Sequence, residues 1–181
     1  MKTSKKKFKN IGVLGGTFDP PHFGHLRIST FSIKKLKLEK LIWAVTKKNP
    51  FKQKPVLSLK KRINLCKKIT NKTKKIKVMS FDHKIKSSRS IDLIKFLIRK
   101  NVNLFFLIGS DNLVNLHKWE HWEKIGKFSK IVVFPRSGYI KKILTSRAYR
   151  KLGKKSIILI KSKMVNISSS KIRKNYLKFR N

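Results

Sequence analysis

Acidic residues are nearly missing from this chain. Seven Asp and Glu stand against 48 Lys and Arg in 181 residues, a formal net charge of +41. So few carboxylates leave little for metal ligation or for paired-carboxylate acid–base chemistry. Cysteine is scarcer still. Cys66 is the only one, so no intrachain disulfide can form, and a reducing compartment is expected. No apolar signal-peptide core follows the basic start MKTSKKKFKN. The longest apolar runs, such as LFFLIG (104–109), are too short to span a bilayer. These absences predict a cytoplasmic protein without a membrane segment.

What the chain has in excess is lysine, and that excess has two readings. A basic domain can be a nucleic-acid binder, held to phosphates by counterion release. Alternatively, the lysines coat every solvated face. They run from Lys2 to Lys178 in no single block, which favours the coating. Non-specific nucleic-acid binding is expected of so basic a chain under either reading. With 40% hydrophobic residues, the length suits one domain over 1–181, residues 1–9 forming a basic, flexible N-terminus.

Short apolar runs alternate with longer amphipathic ones. Strands are predicted at 11–15, 40–46, 75–80, 103–109, 130–135 and 156–161, each rich in β-branched or aromatic residues. Helices are predicted from Phe23 to Leu36, from Ser58 onward, and from Ser88 or Ser90 to about Lys100. KKNPFKQKPV (47–56) reads as a mobile loop. The alternation implies an α/β domain: a mainly parallel sheet of about five to six strands with helices on both faces. Ligands of such sheets bind beyond the strands' carboxyl ends, where strand order reverses. The segments starting at Gly15, Thr46, Ser80, Gly109 and Pro135 are therefore the places to look.

The first of these is the most unusual stretch, GVLGGTFDPPHFGHLR (12–27). Gly15 and Gly16 let the backbone approach a ligand closely. Thr17 offers a hydroxyl. Pro20 and Pro21 stiffen the turn. Gly24 and His25 open a helix, with His22 just ahead of it, and the helix start attracts anions. The arrangement suits a polyphosphate. It matches neither the dinucleotide fingerprint nor the phosphate-loop motif. A metal pair at His22 and His25 lacks further ligands nearby. HKWEH (117–121) fits an inverted zinc-peptidase pattern, but the only acidic residue beyond it is Glu123.

GGTFDPPHFGHL resembles the signature of the H-x-G-H nucleotidyltransferases, and more narrowly of bacterial nicotinate-nucleotide adenylyltransferases. Two further segments share the resemblance: GSDNLVNLHKWEHWEKI (109–125) and ISSSKIR (167–173). It implies a Rossmann-like fold and transfer of adenylyl from ATP to nicotinate mononucleotide, giving deamido-NAD and pyrophosphate. His22, His25 and Arg173 would then be catalytic. Gly15, Gly16, Thr17, Phe18, Gly24, Ser168, Ser169 and Ser170 would bind ATP. Asn49, Lys52, Ser90, Asp92, Gly109, Asp111 and Trp119 would bind the mononucleotide, Trp119 by stacking on the pyridine ring. Mg²⁺ would be held mainly by the ATP phosphates, with no protein metal site. Ser170 stands where the family usually has Thr, and Arg89 where it has Tyr. Acceptors carrying nicotinamide or phosphopantetheine stay open as alternatives, as does a basic nucleic-acid-binding module. Oligomeric state is not legible.

Charge self-repulsion on this scale opposes the compact state and is screened by salt. The melting temperature should therefore rise with ionic strength. A temperature independent of added NaCl would remove self-repulsion as a significant cost.

Overall fold

Successive residues of a strand leave on opposite faces of its sheet, and here both sets are apolar. The computed structural model of the chain describes residues 8–49, 51 and 53–160. The strands are β1 (Lys9–Gly16), β2 (Lys40–Val45), β3 (Ile76–Met79), β4 (Val102–Gly109), β5 (Lys130–Phe134) and β6 (Ile157–Leu159). They form one sheet in the order β3-β2-β1-β4-β5-β6, with every pairing parallel. All six predicted strands are present, with small shifts at their ends.

Val13, Ile42, Phe106 and Ile131 point to one face and join one core cluster. Their neighbours Leu14, Trp43, Leu107 and Val132 join the other. Helices α1 (Phe23–Lys35) and α2 (Leu59–Thr70) cover this second face through Leu26, Phe31, Ile63 and Cys66. The first face is covered by α4 (Ser90–Leu97), α5 (Ser110–Val114), α6 (Trp122–Phe128), α7 (Ile140–Thr145) and α8 (Arg147–Ser156). A single turn, α3 (Asp82–Ile85), follows β3. Strands covered on both sides must be apolar throughout. That is why β2 and β5 read as unbroken hydrophobic runs.

Two helix expectations need correction. The helix predicted to reach Lys100 begins at Ser90, as read, but ends at Leu97. The α2 start is as read: Ser58 Oγ accepts from Lys61 N–H at 3.3 Å. The five other helices were not anticipated. Four of them have only four to seven residues, too short for a 3.6-residue period to show.

β1 runs through α1 to β2 on one side, while β4 lies against its other side. Strand order therefore reverses between β1 and β4, and a crevice opens beyond Gly16 and Gly109. The loops around it are tied down by Arg62 of α2, which is 1% exposed. Its Nη1 donates to the carbonyls of Thr17 (2.5 Å) and Thr46 (2.8 Å). Nη2 donates to Lys47 O and Nε to Leu57 O. One side chain thus joins the loop after β1, the loop after β2 and the entry to α2. Burial lowers the Arg62 pKa, with Asp19, Cys66 and Asp82 opposing that shift. A guanidinium nevertheless stays charged in any protein.

Replacing Arg62 by Met should lower stability by about 2–5 kcal/mol, because several buried carbonyls lose their donor at once. Urea denaturation would check this. A midpoint shift of under a tenth of the wild-type value would deny Arg62 that role.

Candidate active site

The turn between β1 and α1 brings aromatic rings together in a row. Trp43 of β2 stacks on Phe18 (centroids 4.9 Å, 16°). Phe18 meets His25 at 4.9 Å, and His25 meets His22 at 3.8 Å. Phe18 is 2% exposed and has a left-handed backbone, φ 49°, so it can meet a ligand only through its backbone. Its ring supports His25 from behind. Trp43 Nε1 donates to Ser29 Oγ (2.8 Å), and Ser29 Oγ donates to His25 O (2.7 Å). The first turn of α1 is thereby fixed to the sheet.

The two histidines also bond to each other. His22 N–H donates to His25 Nδ1 (3.2 Å), and His25 N–H donates to the His22 carbonyl (2.9 Å). His22 occupies the N-cap position of α1. Its Nδ1 is buried without a hydrogen-bond partner among the described residues. Burial, helped by the charge of Arg136, brings its pKa down to about 4. The imidazole is then neutral at physiological pH and offers a single N–H donor.

Behind the turn, Asp19 is 3% exposed. Its carboxylate accepts from Val56 N–H (2.8 Å) and Leu57 N–H (3.1 Å). Asp82 accepts from the Thr46 hydroxyl (2.8 Å) and from Lys47 N–H (2.5 Å). Two carboxylates take the loops' N–H groups while Arg62 takes their carbonyls.

Beside the turn lies a cavity of about 530 Å³, of the size that holds a small ligand. Gly15, Gly16, Thr17, Asn49, Ser90 and Trp119 all line it, so these six predicted residues share one space. Trp119 faces Phe51 across nearly parallel rings (6.4 Å, 9°) and rests edge-on against Phe106. The remaining predicted residues sit elsewhere. Gly24 is buried in α1. Asp92 accepts from Ser87 Oγ (2.7 Å) and Arg89 Nε (2.6 Å), and so orders its own loop. Asp111 lies 3.8 Å from Arg136 Nη1, and its Oδ1 is buried without a hydrogen bond among the described residues. Gly109 makes room for it: a Cβ there would stand 2.6 Å from that oxygen. Lys52, Ser168, Ser169, Ser170 and Arg173 lie outside the described residues, as do residues 1–7 of the expected N-terminal arm.

Some residues of the site were not named from the sequence. Arg136 follows β5 and bears on both His22 and Asp111. The segment from Pro135 was flagged by its place after a strand, and the one arginine there was the available signal. Thr46 and Asp82 lie in segments flagged by their place after a strand, whereas Arg62 gave no signal, because its partners are distant in sequence. Cys66 is buried, and that burial pushes its thiol up to about 12. A thiolate there is excluded at neutral pH.

The family model described as cytidylyltransferase-like matches residues 13–175. A protein of Pelagibacter ubique (strain HTCC1062), named "Probable nicotinate-nucleotide adenylyltransferase", is 47% identical over 94% of this chain and 95% of its own length. A Clostridium botulinum protein of the same name is 34% identical over 91% of this chain and 84% of its own. This chain belongs to the nicotinate-nucleotide adenylyltransferase family. A solved structure, the Plasmodium falciparum nicotinic acid mononucleotide adenylyltransferase complexed with NaAD, is similar with a TM-score of 0.74. It covers 92% of this chain and 83% of its own at 21% identity, a likeness of fold. The six-stranded order found here is that of the Rossmann fold. Among the described residues, no helix is long and apolar enough to cross a membrane.

The depressed His22 pKa has a consequence for stability. The unfolded chain binds a proton near pH 6.5, and the folded chain binds it only near pH 4. The stability that neutral His22 contributes is therefore complete above pH 6.5 and lost as pH falls toward 4. The His22 ring should titrate near pH 4 by NMR, and Arg136→Gln should move its midpoint upward. A wild-type midpoint near 6.5 would contradict the burial argument.

Proposed function

We propose that this chain joins ATP and nicotinate mononucleotide to give deamido-NAD and pyrophosphate, with the triphosphate at the start of α1 and the pyridine ring against Trp119. The observation that carries this is one of place. The histidine pair and the Trp119 cavity adjoin the same turn, beyond the carboxyl ends of β1 and β4, and Thr17 belongs to both.

An oxygen of the mononucleotide's phosphate attacks the α-phosphorus of ATP. A bond forms between them as the bond from that phosphorus to the β-phosphate oxygen breaks, and pyrophosphate leaves. A phosphate monoester is already anionic near neutral pH, so the nucleophile needs no general base. The protein's part is placement and charge stabilisation. His22 and His25 donate to phosphate oxygens, as does the Thr17 hydroxyl. Gly15 and Gly16 let the nucleotide lie close to the backbone. Arg136, beside His22 and Asp111, adds a cation to the same corner. Arg173 and Ser168 to Ser170 belong to this reading by motif alone.

Among the described residues, no group of three or more His, Cys, Asp and Glu could hold a metal. In this reading a Mg²⁺ ion would be carried by the ATP phosphates and water. When bound, it neutralises phosphate charge. A lone buried cysteine fits a reducing, cytoplasmic setting.

Pyrophosphate release should be fast with ATP, Mg²⁺ and nicotinate mononucleotide, and slow when the nicotinamide form replaces the acid. His25→Ala should lower turnover by about 10²-fold, as loss of one oxyanion donor does elsewhere. Release with neither acceptor would sink the reading and raise the nucleic-acid one. An unchanged His25→Ala turnover would remove that ring from the chemistry.

A further inference from the structure

The acid and amide forms of the acceptor differ by one group on the ring, a carboxylate against a neutral carboxamide. A charge held in place near the ring would tell them apart. Among the described residues, five charged side chains line the cavity: Lys48, Asp82, Arg89, Lys118 and Glu120. Asp82 is committed to Thr46 and Lys47. Neither Lys48 nor Lys118 has a carboxylate partner among the described residues. A long lysine without a partner is a poorly positioned charge.

Arg89 is different. Its Nε donates to Asp92 Oδ2 at 2.6 Å, and its Nη1 donates to Glu120 Oε1 at 2.5 Å. Its backbone N–H donates to Ser87 Oγ. In a chain with seven acidic residues, two of them converge on this one cation. Asp92 is anchored in turn by the Ser87 hydroxyl. Glu120 is not anchored in that way. Its other polar neighbour is the His121 ring at 3.6 Å, and its side chain is about half exposed. Arg89 thus has a fixed end at Asp92 and an exchangeable end at Glu120. The exchangeable end adjoins Trp119 in sequence, and all three residues line the cavity.

We propose that Arg89 reads the carboxylate on the acceptor's pyridine ring, and that Glu120 keeps its place in the empty site. Binding exchanges one carboxylate for another on Nη1. The guanidinium keeps its charge-assisted bond, and its outer edge can take both oxygens of the incoming group. A carboxamide offers a weaker, neutral acceptor and cannot displace Glu120 on equal terms. Selectivity then arises from competition for Nη1 as much as from attraction. The inference rests on the activity proposed above and assigns its selectivity to one side chain.

The test is steady-state kinetics of wild type, Arg89→Gln, Arg89→Lys and Glu120→Gln with both acceptors. Arg89→Gln should raise KM for the acid by about 10- to 100-fold, the worth of one charge-assisted bond, with kcat nearly unchanged. KM for the amide should stay within about twofold of wild type, which is small beside one such bond. Arg89→Lys should recover part of the acid affinity. Glu120→Gln should lower KM for the acid by removing the competitor. Thermal melts of each variant separate selectivity from folding, since Arg89 is half exposed. Equal losses for acid and amide in Arg89→Gln would mean that Arg89 only orders its loop, and would overturn the assignment while leaving the activity intact. A wild-type chain inactive with both acceptors would overturn both.

Discussion

A buried guanidinium with no carboxylate in direct contact is the arrangement on which the rest of the site depends. Arg62 reaches four backbone carbonyls from the two loops that follow β1 and β2. Loops at the end of a parallel sheet leave strand and helix ends with unpaired polar groups, and burying those groups unpaired is costly. Lysine could not replace it, because one ammonium cannot present donors in a planar fork across three directions. The N–H side of the same loops is taken by Asp19 and Asp82. The backbone between β2 and α2 is therefore held from both sides, and Arg62 ties the loop after β1 to it, before any ligand arrives.

That arrangement explains where the few acids are. Asp19, Asp82, Asp92, Asp111 and Glu120 all bond to, or ion-pair with, groups of the loops around the crevice. Glu39 pairs with Lys9 at the opposite end of the sheet. A site for two phosphate-bearing substrates would be expected to exclude carboxylates. Here four of them remain because each is already bound to a donor and orders a loop, and Asp111 lies against Arg136. The general field of 48 cations can draw anions in, but it falls off within a Debye length and cannot distinguish them. Discrimination has to come from groups held in place, and in this chain the acids do the holding.

The fold was largely legible because burial on both faces makes parallel strands plain in sequence. Val13 and Leu14 are adjacent and both buried, one in each core. The short helices were not legible, since α3 and α5 are set by what they pack against rather than by periodicity. At the site, the histidine turn could be read because its residue types are rare elsewhere in the chain. Phe18, an ATP contact by resemblance, has its ring behind His25, which leaves its backbone for that role. Arg62 and Asp82 looked like ordinary residues of basic and polar segments. Their roles come from partners such as Thr17 and Thr46, which only the fold brings near. Arg89 was read as a departure from the family pattern. What that departure does became arguable only once Glu120, which lies 31 positions away, was seen bonded to it.

The neutral state of His22 bears on how the phosphate corner works. An imidazolium there would face Arg136 in a partly buried place, and burial and charge both oppose it. The empty site therefore avoids a stored positive charge that would destabilise the fold. A triphosphate changes that balance, since its negative charge favours the protonated ring. The proton affinity of His22 should rise as ATP enters, and the site becomes more cationic only when an anion is present to be stabilised. Burial sets the low starting point, and Arg136, paired with Asp111 beside it, lowers it further. Under the proposed function, His22 thus stays neutral in a chain burdened with positive charge until the substrate supplies the opposing charge.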